Sequence, residues 1–382
     1  MRVILNGWFW GQTATGSGQY LAHLLEHLPK AEPKNEILLA TWQRHAPSPD
    51  PPGCSVWPLS TPFDRISANL SKLWFEQVSF PRAARRLGGD LAHVPHWGSP
   101  LRPTVPTVVT IHDLIPLLLP AYQGSSLVQG YTRLVAAAAR RAVGVITVSQ
   151  ASQRDIIAHL RLPAARVWVT HEAAPASFQR ADEAQIARVR REYGLPDSFS
   201  LYLGGFDVRK NVAGVLAAFA RLLEREESGD PRLVVAGILP KEDTSFTPDP
   251  RRIARELSIE TRVTFTGWVD EADKPALYSA ADIFVFPSRY EGFGLPVLEA
   301  LTCGTPTITS NVSSLPEIVG QAGLLVSPDD QAGLVDAMER LLHDPRLREK
   351  LRALALEQAA RFSWQETARA TAEIYAQALA KG

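Results

Sequence analysis

The chain has 382 residues, 45% hydrophobic and 21% charged, which supplies apolar material for two cores at roughly 150 residues per domain. Lysine plus arginine equals aspartate plus glutamate at 40 each, so no basic field favours nucleic acid as a partner. Two cysteines, Cys54 and Cys303, give neither a disulfide framework nor a metal-ligand spacing, and point to a reducing, cytoplasmic setting.

The first segment, "MRVILNGWFWGQ", is not read as a signal peptide, because Asn6 and Gly7 break its apolar run and no small-residue cleavage site follows. Within it, 2–6 reads as a buried strand, and Trp8, Phe9 and Trp10 follow that strand. Gly16-Ser17-Gly18 reads as a turn before a helix whose Leu21, Leu24, Leu25 and Leu28 repeat at i, i+3, i+4 and i+7. "EILLATW" is a second strand, and 45–62, rich in proline and serine, reads as an irregular loop. "KLWFEQ" (72–77) and "PRAARRLGG" (81–89) come next. There Trp74 and Phe75 suit a core, and Arg82, Arg85 and Arg86 share one helical side. Such a basic side is a solvated face or a peripheral contact with an anionic membrane surface. "DLAHV", "TVVTIHD" and "VGVITVS" read as further strands, with His112 and Asp113 at the end of the second. No stretch reaches the roughly 18 apolar residues of a membrane span.

A less patterned region from 176 to 198 reads as a linker with one short helix. The alternation then restarts with "SLYLGG", helix 211–227, "RLVVAG", a helix near 250–258, "RVTFTG", helix 271–280, "DIFVFPS", helix 296–303, "TPTITS" and "GLLVSP". Residues 330–382 read as helical. Short, uninterrupted apolar strands suit parallel sheets covered on both faces. The expectation is an α/β protein of two doubly wound halves facing a cleft.

In "RYEGFGLPVLEALTCGTP" (289–306), seven residues separate Glu291 from Glu299. Pro296 suits the first turn of a helix, where its missing N–H is harmless. Gly292, Phe293, Gly294 and Leu295 then stand at the helix N-terminus, where backbone amides and the helix dipole favour an anion. Two carboxylates would repel a phosphate but suit hydroxyls, because a carboxylate accepts several hydrogen bonds. A nucleotide diphosphate sugar has the matching order of parts: sugar by Glu291, phosphates over the turn, ribose by Glu299. Taken singly, each glutamate would be an ordinary helix-start carboxylate.

This segment, through "GTPTITSNVSSLPEIVG", resembles the donor site of the retaining glycosyltransferases of family 4, whose hallmark is this pair of spaced glutamates. The resemblance extends to "LYLGGFDVRKN" (201–211), "VTFTGWV" (263–269), "FSW" (362–364) and, more weakly, "TIHDLIP" (110–116). It implies the GT-B fold. Residues 1–175 form an acceptor-binding Rossmann-like domain, 176–198 a linker, 199–360 a nucleotide-sugar domain, and 361–382 a helix returning to the first domain. It implies that Arg209 and Lys210 hold the donor diphosphate. Many members carry an arginine five residues before the lysine; Gly205 stands there, and the role passes to Arg209. His112 is implied to face the reacting sugar, Gly16 and Gly18 to belong to a glycine loop near the donor, and Gly205 to line the donor site. The implied reaction moves a hexose from a GDP- or UDP-sugar to a glycan or lipid-linked acceptor in cell-surface polysaccharide synthesis. No cofactor and no metal are expected: the chain contains no Asp-x-Asp pair for a diphosphate-bound ion. Two other readings are a nicotinamide dehydrogenase and a non-catalytic sugar-nucleotide sensor or scaffold. The first fails because Leu21 stands where the G-x-G-x-x-G fingerprint needs its third glycine.

Overall fold

The structure, a computed structural model, describes residues 1–12, 14–45, 51–225 and 230–380. The chain divides into two compact units, Met1–Glu172 with Ser363–Gly382, and Ala173–Phe362.

The first unit is built on β1 (Arg2–Gly7), β2 (Glu36–Trp42), β3 (Cys54–Leu59), β4 (Leu91–Val94), β5 (Thr107–Thr110), β6 (Gly144–Thr147) and β7 (Val167–Val169). Among the described residues these form one sheet in the order β3-β2-β1-β4-β5-β6-β7, with every pair parallel. β4, β5 and β6 are buried at every position, as a sheet covered on both faces requires. The order reverses between β1 and β4. In open α/β sheets such a reversal opens a crevice beyond the strand C-termini, where ligands bind.

Three expectations in this unit need correction. The loop read over 45–62 contains edge strand β3. Its Pro58 is tolerated because β3 pairs with β2 alone, and residues 46–50 lie outside the described residues. β7, three residues long on the opposite edge, had not been anticipated. Gly16–Ser17–Gly18 is not a turn before the helix but its first turn. The helix runs Gly16–Ala31, and the Thr15 side chain accepts from Gly18 N. A Cβ on Gly18 would stand 2.1 Å from the Gln12 carbonyl oxygen, so only glycine lets the helix start against this loop.

The Ala68–Trp74 helix continues through a π-helical turn, Phe75–Ser79, into the Phe80–Arg86 helix. The wider turn buries Phe75 and Glu76 side by side. The C-terminal helix, Trp364–Ala380, belongs to the first unit. Trp364 meets Tyr20 and His23, and the Tyr375 hydroxyl lies 2.7 Å from His93 Nδ1.

The second unit carries β8 (Ser200–Leu203), β9 (Leu233–Ala236), β10 (Val263–Gly267), β11 (Ile283–Phe286), β12 (Thr307–Ser310) and β13 (Gly323–Val326). Their order among the described residues is β10-β9-β8-β11-β12-β13, all parallel, with the reversal between β8 and β11. The segment 176–198, expected as a linker, is packed into this unit: its Glu183–Tyr193 helix is tied to Asp273 through Arg188 and Tyr193. Helix 211–227 is shorter than expected, Val212–Leu223, and 226–229 lie outside the described residues.

Candidate functional site

In the second unit, the loops after β8 and β11 flank the strand-order reversal. They bring Arg209, Lys210 and Glu291 together. Arg209 Nη1 lies 2.8 Å from Glu291 Oε2, and Lys210 Nζ lies 2.8 Å from Glu291 Oε1. Their side chains are 12%, 14% and 9% exposed, so this is a buried cluster and not a solvated pair before a helix. The loops are tied through backbone and side chain: Arg289 N donates to the Arg209 carbonyl at 2.7 Å, and the Arg209 side-chain Nη1 donates to the Tyr290 carbonyl at 2.7 Å. Asn211 does not cap the following helix with its side chain. It adopts φ +59°, and its Nδ2 donates to the carbonyls of Pro287 and Pro328.

Burial alone would raise the Glu291 carboxyl pKa. Lys210 and Arg209, with hydrogen bonds from Lys210 and Ser288, outweigh it and hold the group below the usual carboxylate range. Glu291 N donates to Ser313 Oγ, and Ser314 Oγ donates to the carbonyls of Glu291 and Phe293. Gly294, at φ +113°, precedes the Leu295–Thr302 helix, which starts one residue earlier than expected. A Cβ on Gly294 would stand 2.8 Å from Leu315 Cδ2.

Glu299 lies one turn into that helix and is 9% exposed. Burial raises its carboxyl pKa to about 7, against the opposing pull of Lys274 and the Tyr278 hydroxyl, which donates to Oε2 at 2.9 Å. Lys274 also lines a cavity of about 230 Å³ with Leu203, Gly204, Gly205, Gly237, Trp268 and Val269. Its walls are the C-terminal ends of β8, β9 and β10. A Cβ on Gly237, at φ +142°, would stand 2.2 Å from the Gly204 carbonyl oxygen, so glycine lets these two strand ends meet.

The first unit holds His112, Gly16 and Gly18. His112 follows β5; its Nδ1 lies 3.0 Å from Glu172 Oε1 and its Nε2 3.4 Å from the Pro95 carbonyl. Burial would lower its pKa, but Glu172, helped by Asp113, raises it above the ordinary histidine value. Glu172 therefore orients the ring. Asp113 accepts from Ile115 N, holding the turn. Trp8 is core, stacked on Trp42 with centroids 4.6 Å apart. Arg82, Arg85 and Arg86 are exposed, and among the described residues no helix is long and apolar enough to cross a membrane.

Sequence reasoning missed Glu172, Gly237, Trp268, Tyr278, Ser313 and Ser314. Gly237 and Trp268 carried a usable signal, since each directly follows an apolar strand. Glu172 carried none, standing in an unpatterned stretch far from His112.

Two family models match the chain: "Glycosyltransferase Family 4" over residues 14–175 and "Glycosyl transferases group 1" over 186–358. O-antigen chain mannosyltransferase B of Escherichia coli is 35% identical over 269 residues, 70% of this chain and 69% of that one. Serotype-specific mannosyltransferase WbdA of Escherichia coli is 33% identical over 266 residues, 69% of this chain but 32% of its own length. HepE of Anabaena, solved in complex with UDP and glucose, superposes with a TM-score of 0.74 at 19% identity, covering 98% of this chain and 99% of that one. That likeness bears on the fold alone.

Proposed function

This chain belongs to glycosyltransferase family 4 and has the two-domain GT-B fold of α/β type, and from that membership we propose that it is a retaining hexosyltransferase. Its donor is a nucleotide diphosphate sugar, and its acceptor is a glycan or lipid-linked glycan of a cell-surface polysaccharide. The observation that carries this reading is the buried Arg209–Lys210–Glu291 cluster at the sheet's reversal point beside the helix N-terminus at Gly294–Leu295.

In the reaction, the bond from the anomeric carbon to the diphosphate oxygen breaks. The acceptor oxygen bonds to that carbon on the same face, and the acceptor's proton passes to the departing diphosphate. The leaving group gains negative charge as the bond breaks, and preorganised cations stabilise that charge. Arg209 and Lys210 supply them, with the positive end of the Leu295–Thr302 helix dipole. Glu291 orients the transferred sugar through its hydroxyls. The glycine-lined cavity takes the flat base, and Glu299, linked to it through Lys274, accepts from the ribose hydroxyls. His112, held by Glu172, donates to a substrate hydroxyl.

The test incubates the protein with GDP- and UDP-hexoses and a mannan oligosaccharide, in excess EDTA. Proton NMR then reads the anomeric configuration of the product. Transfer with retained configuration is expected. An inverted product, or transfer that needs a stoichiometric divalent ion, would overturn the mechanism. Donor binding without transfer or hydrolysis would favour the sensor reading.

Glu299 gives the binding a pH dependence. A ribose diol donates to the carboxylate, so binding requires the ionised form, which the raised pKa of about 7 makes scarce in acid. Affinity for GDP or UDP is expected to fall about tenfold from pH 8 to pH 6. Glu299→Gln should bind more weakly throughout and lose this dependence, as calorimetric titration checks; an unchanged slope would remove Glu299 from the ribose. The fold responds with the opposite sign. A carboxyl raised from an ordinary 4.5 to about 7 adds stability that is full below 4.5 and is lost as pH rises through 7.

A further inference from the structure

The first unit holds a second buried polar cluster, at its own strand-order reversal between β1 and β4. Phe9 follows β1 and His96 follows β4, and their rings meet edge to face with centroids 4.9 Å apart. Glu76 reaches them from the π-helical turn, a local geometry that often marks function, and is fully buried. Its Oε1 lies 3.0 Å from His96 Nε2, and the Tyr131 hydroxyl donates to its Oε2 at 2.8 Å. A Cβ on Gly98 would stand 2.4 Å from Glu76 Oε1 and 2.6 Å from His96 Nε2, so a glycine leaves room for the pair. The cluster adjoins His112, whose Nε2 contacts the carbonyl of Pro95, the residue before His96.

Two polar features of the cluster are unfinished. A carboxylate only accepts, so His96 Nε2 carries the proton. Burial, opposed by Glu76, pushes the His96 pKa down, which keeps the ring neutral and leaves Nδ1 an acceptor. That Nδ1 is buried and has no hydrogen-bond partner among the described residues. A buried acceptor left unpaired costs about 1–3 kcal/mol, which a ligand hydroxyl would recover. The second feature is Lys72. Its Nζ stands 3.7 Å from Glu76 Oε1, too far for a hydrogen bond. A hydroxyl oxygen between them can accept from the ammonium and donate to the carboxylate. Lys72 is the less buried end of the cluster, with its ammonium over the rings of Phe9 and Tyr131. One cation, one carboxylate and one neutral imidazole leave no net charge to attract a phosphate, whereas a sugar ring offers hydroxyls to the polar atoms and a C–H face to Phe9.

We propose that Lys72, Glu76, His96 and Tyr131, with Phe9, form a subsite that binds a neutral sugar ring of the glycan acceptor through its hydroxyls. The acceptor role rests on the glycosyltransferase reading.

The test compares the wild-type protein with Glu76→Gln, which keeps the shape of the buried side chain, and Lys72→Met, which changes only the less buried end. The probes are methyl glycosides of mannose, glucose and galactose. They are followed by saturation-transfer NMR and, with donor present, as surrogate acceptors. Both variants are expected to lose the glycoside signal and to raise the acceptor KM by about tenfold or more, the scale of one hydrogen bond to a charged group. Donor hydrolysis without acceptor should stay near wild type, a split that a merely structural cluster would not produce. No glycoside signal in the wild-type protein, or an unchanged signal and acceptor KM in folded Lys72→Met, would overturn the subsite. If the wild-type protein neither transfers nor hydrolyses any donor, the transferase reading fails separately. The NMR comparison then still decides whether these residues hold a sugar.

Discussion

Lys210→Ala is expected to lower kcat by about 10²-fold or more, while affinity for the donor falls much less. The reason lies in when the charge is needed. Before reaction the diphosphate already shares its charge with Arg209 and the helix N-terminus. As the glycosidic bond breaks, another full negative charge gathers on the departing oxygen, and a fixed ammonium is worth most at that moment. The site is built to keep it fixed: Lys210 is pinned to Glu291 at 2.8 Å, and its Nζ lies 5.0 Å from the centroid of Phe286. Lys210→Met fills the space of the aliphatic stem against Phe286 and should lose as much, separating charge from packing. Pre-steady-state turnover with saturating donor is the measurement. Near wild-type turnover in either variant would remove Lys210 from the transition state.

Glu291→Gln is expected to act in opposite directions on binding and on transfer. Without donor, the single carboxylate neutralises two buried cations, so an arriving diphosphate competes with it. Removing the charge should tighten GDP or UDP binding by on the order of tenfold, equivalent to about 1.4 kcal/mol. Transfer should fall by about 10²-fold because the sugar loses the group that orients it. The unliganded variant should also lose about 3–5 kcal/mol of stability, since two cations stay buried without their partner, and nucleotide should restore much of it. Calorimetric titration beside thermal melts with and without nucleotide checks all three. Weaker nucleotide binding would refute the competition, and undiminished transfer would refute the role on the sugar.

The opposition between these effects was not legible in the sequence. The glycine turn, Pro296 and the paired glutamates pointed to the candidate site, because each reflects a local rule of helix starts. The sequence suggested that Glu291 meets hydroxyls. Its ion pairs with cations about eighty residues upstream follow from β8 and β11 being neighbours, and strand order is a long-range property that no local pattern encodes. Similar limits explain the other misses. The prolines that make 45–62 look irregular sit within and on either side of an edge strand. Glu172 orients His112 from a different strand end, where nothing marks it as functional. The π-helical turn that buries Glu76 leaves a sequence indistinguishable from an ordinary amphipathic helix.

The placement of the Trp364–Ala380 helix has a consequence for biosynthesis. The first unit is discontinuous in the chain: the hydrogen bond between His93 and Tyr375 spans 282 residues, and Trp364 covers Tyr20 from further still. A ribosome that has released residues 1–172 has therefore not released everything the first core needs. Until the last helix emerges, the buried His93 lacks its phenolic partner and Tyr20 lacks its cover. The second unit, continuous from Ala173 to Phe362, has all of its strands earlier in synthesis. The first unit is thus completed after the second, and it must stay soluble with an open flank while the second is being made.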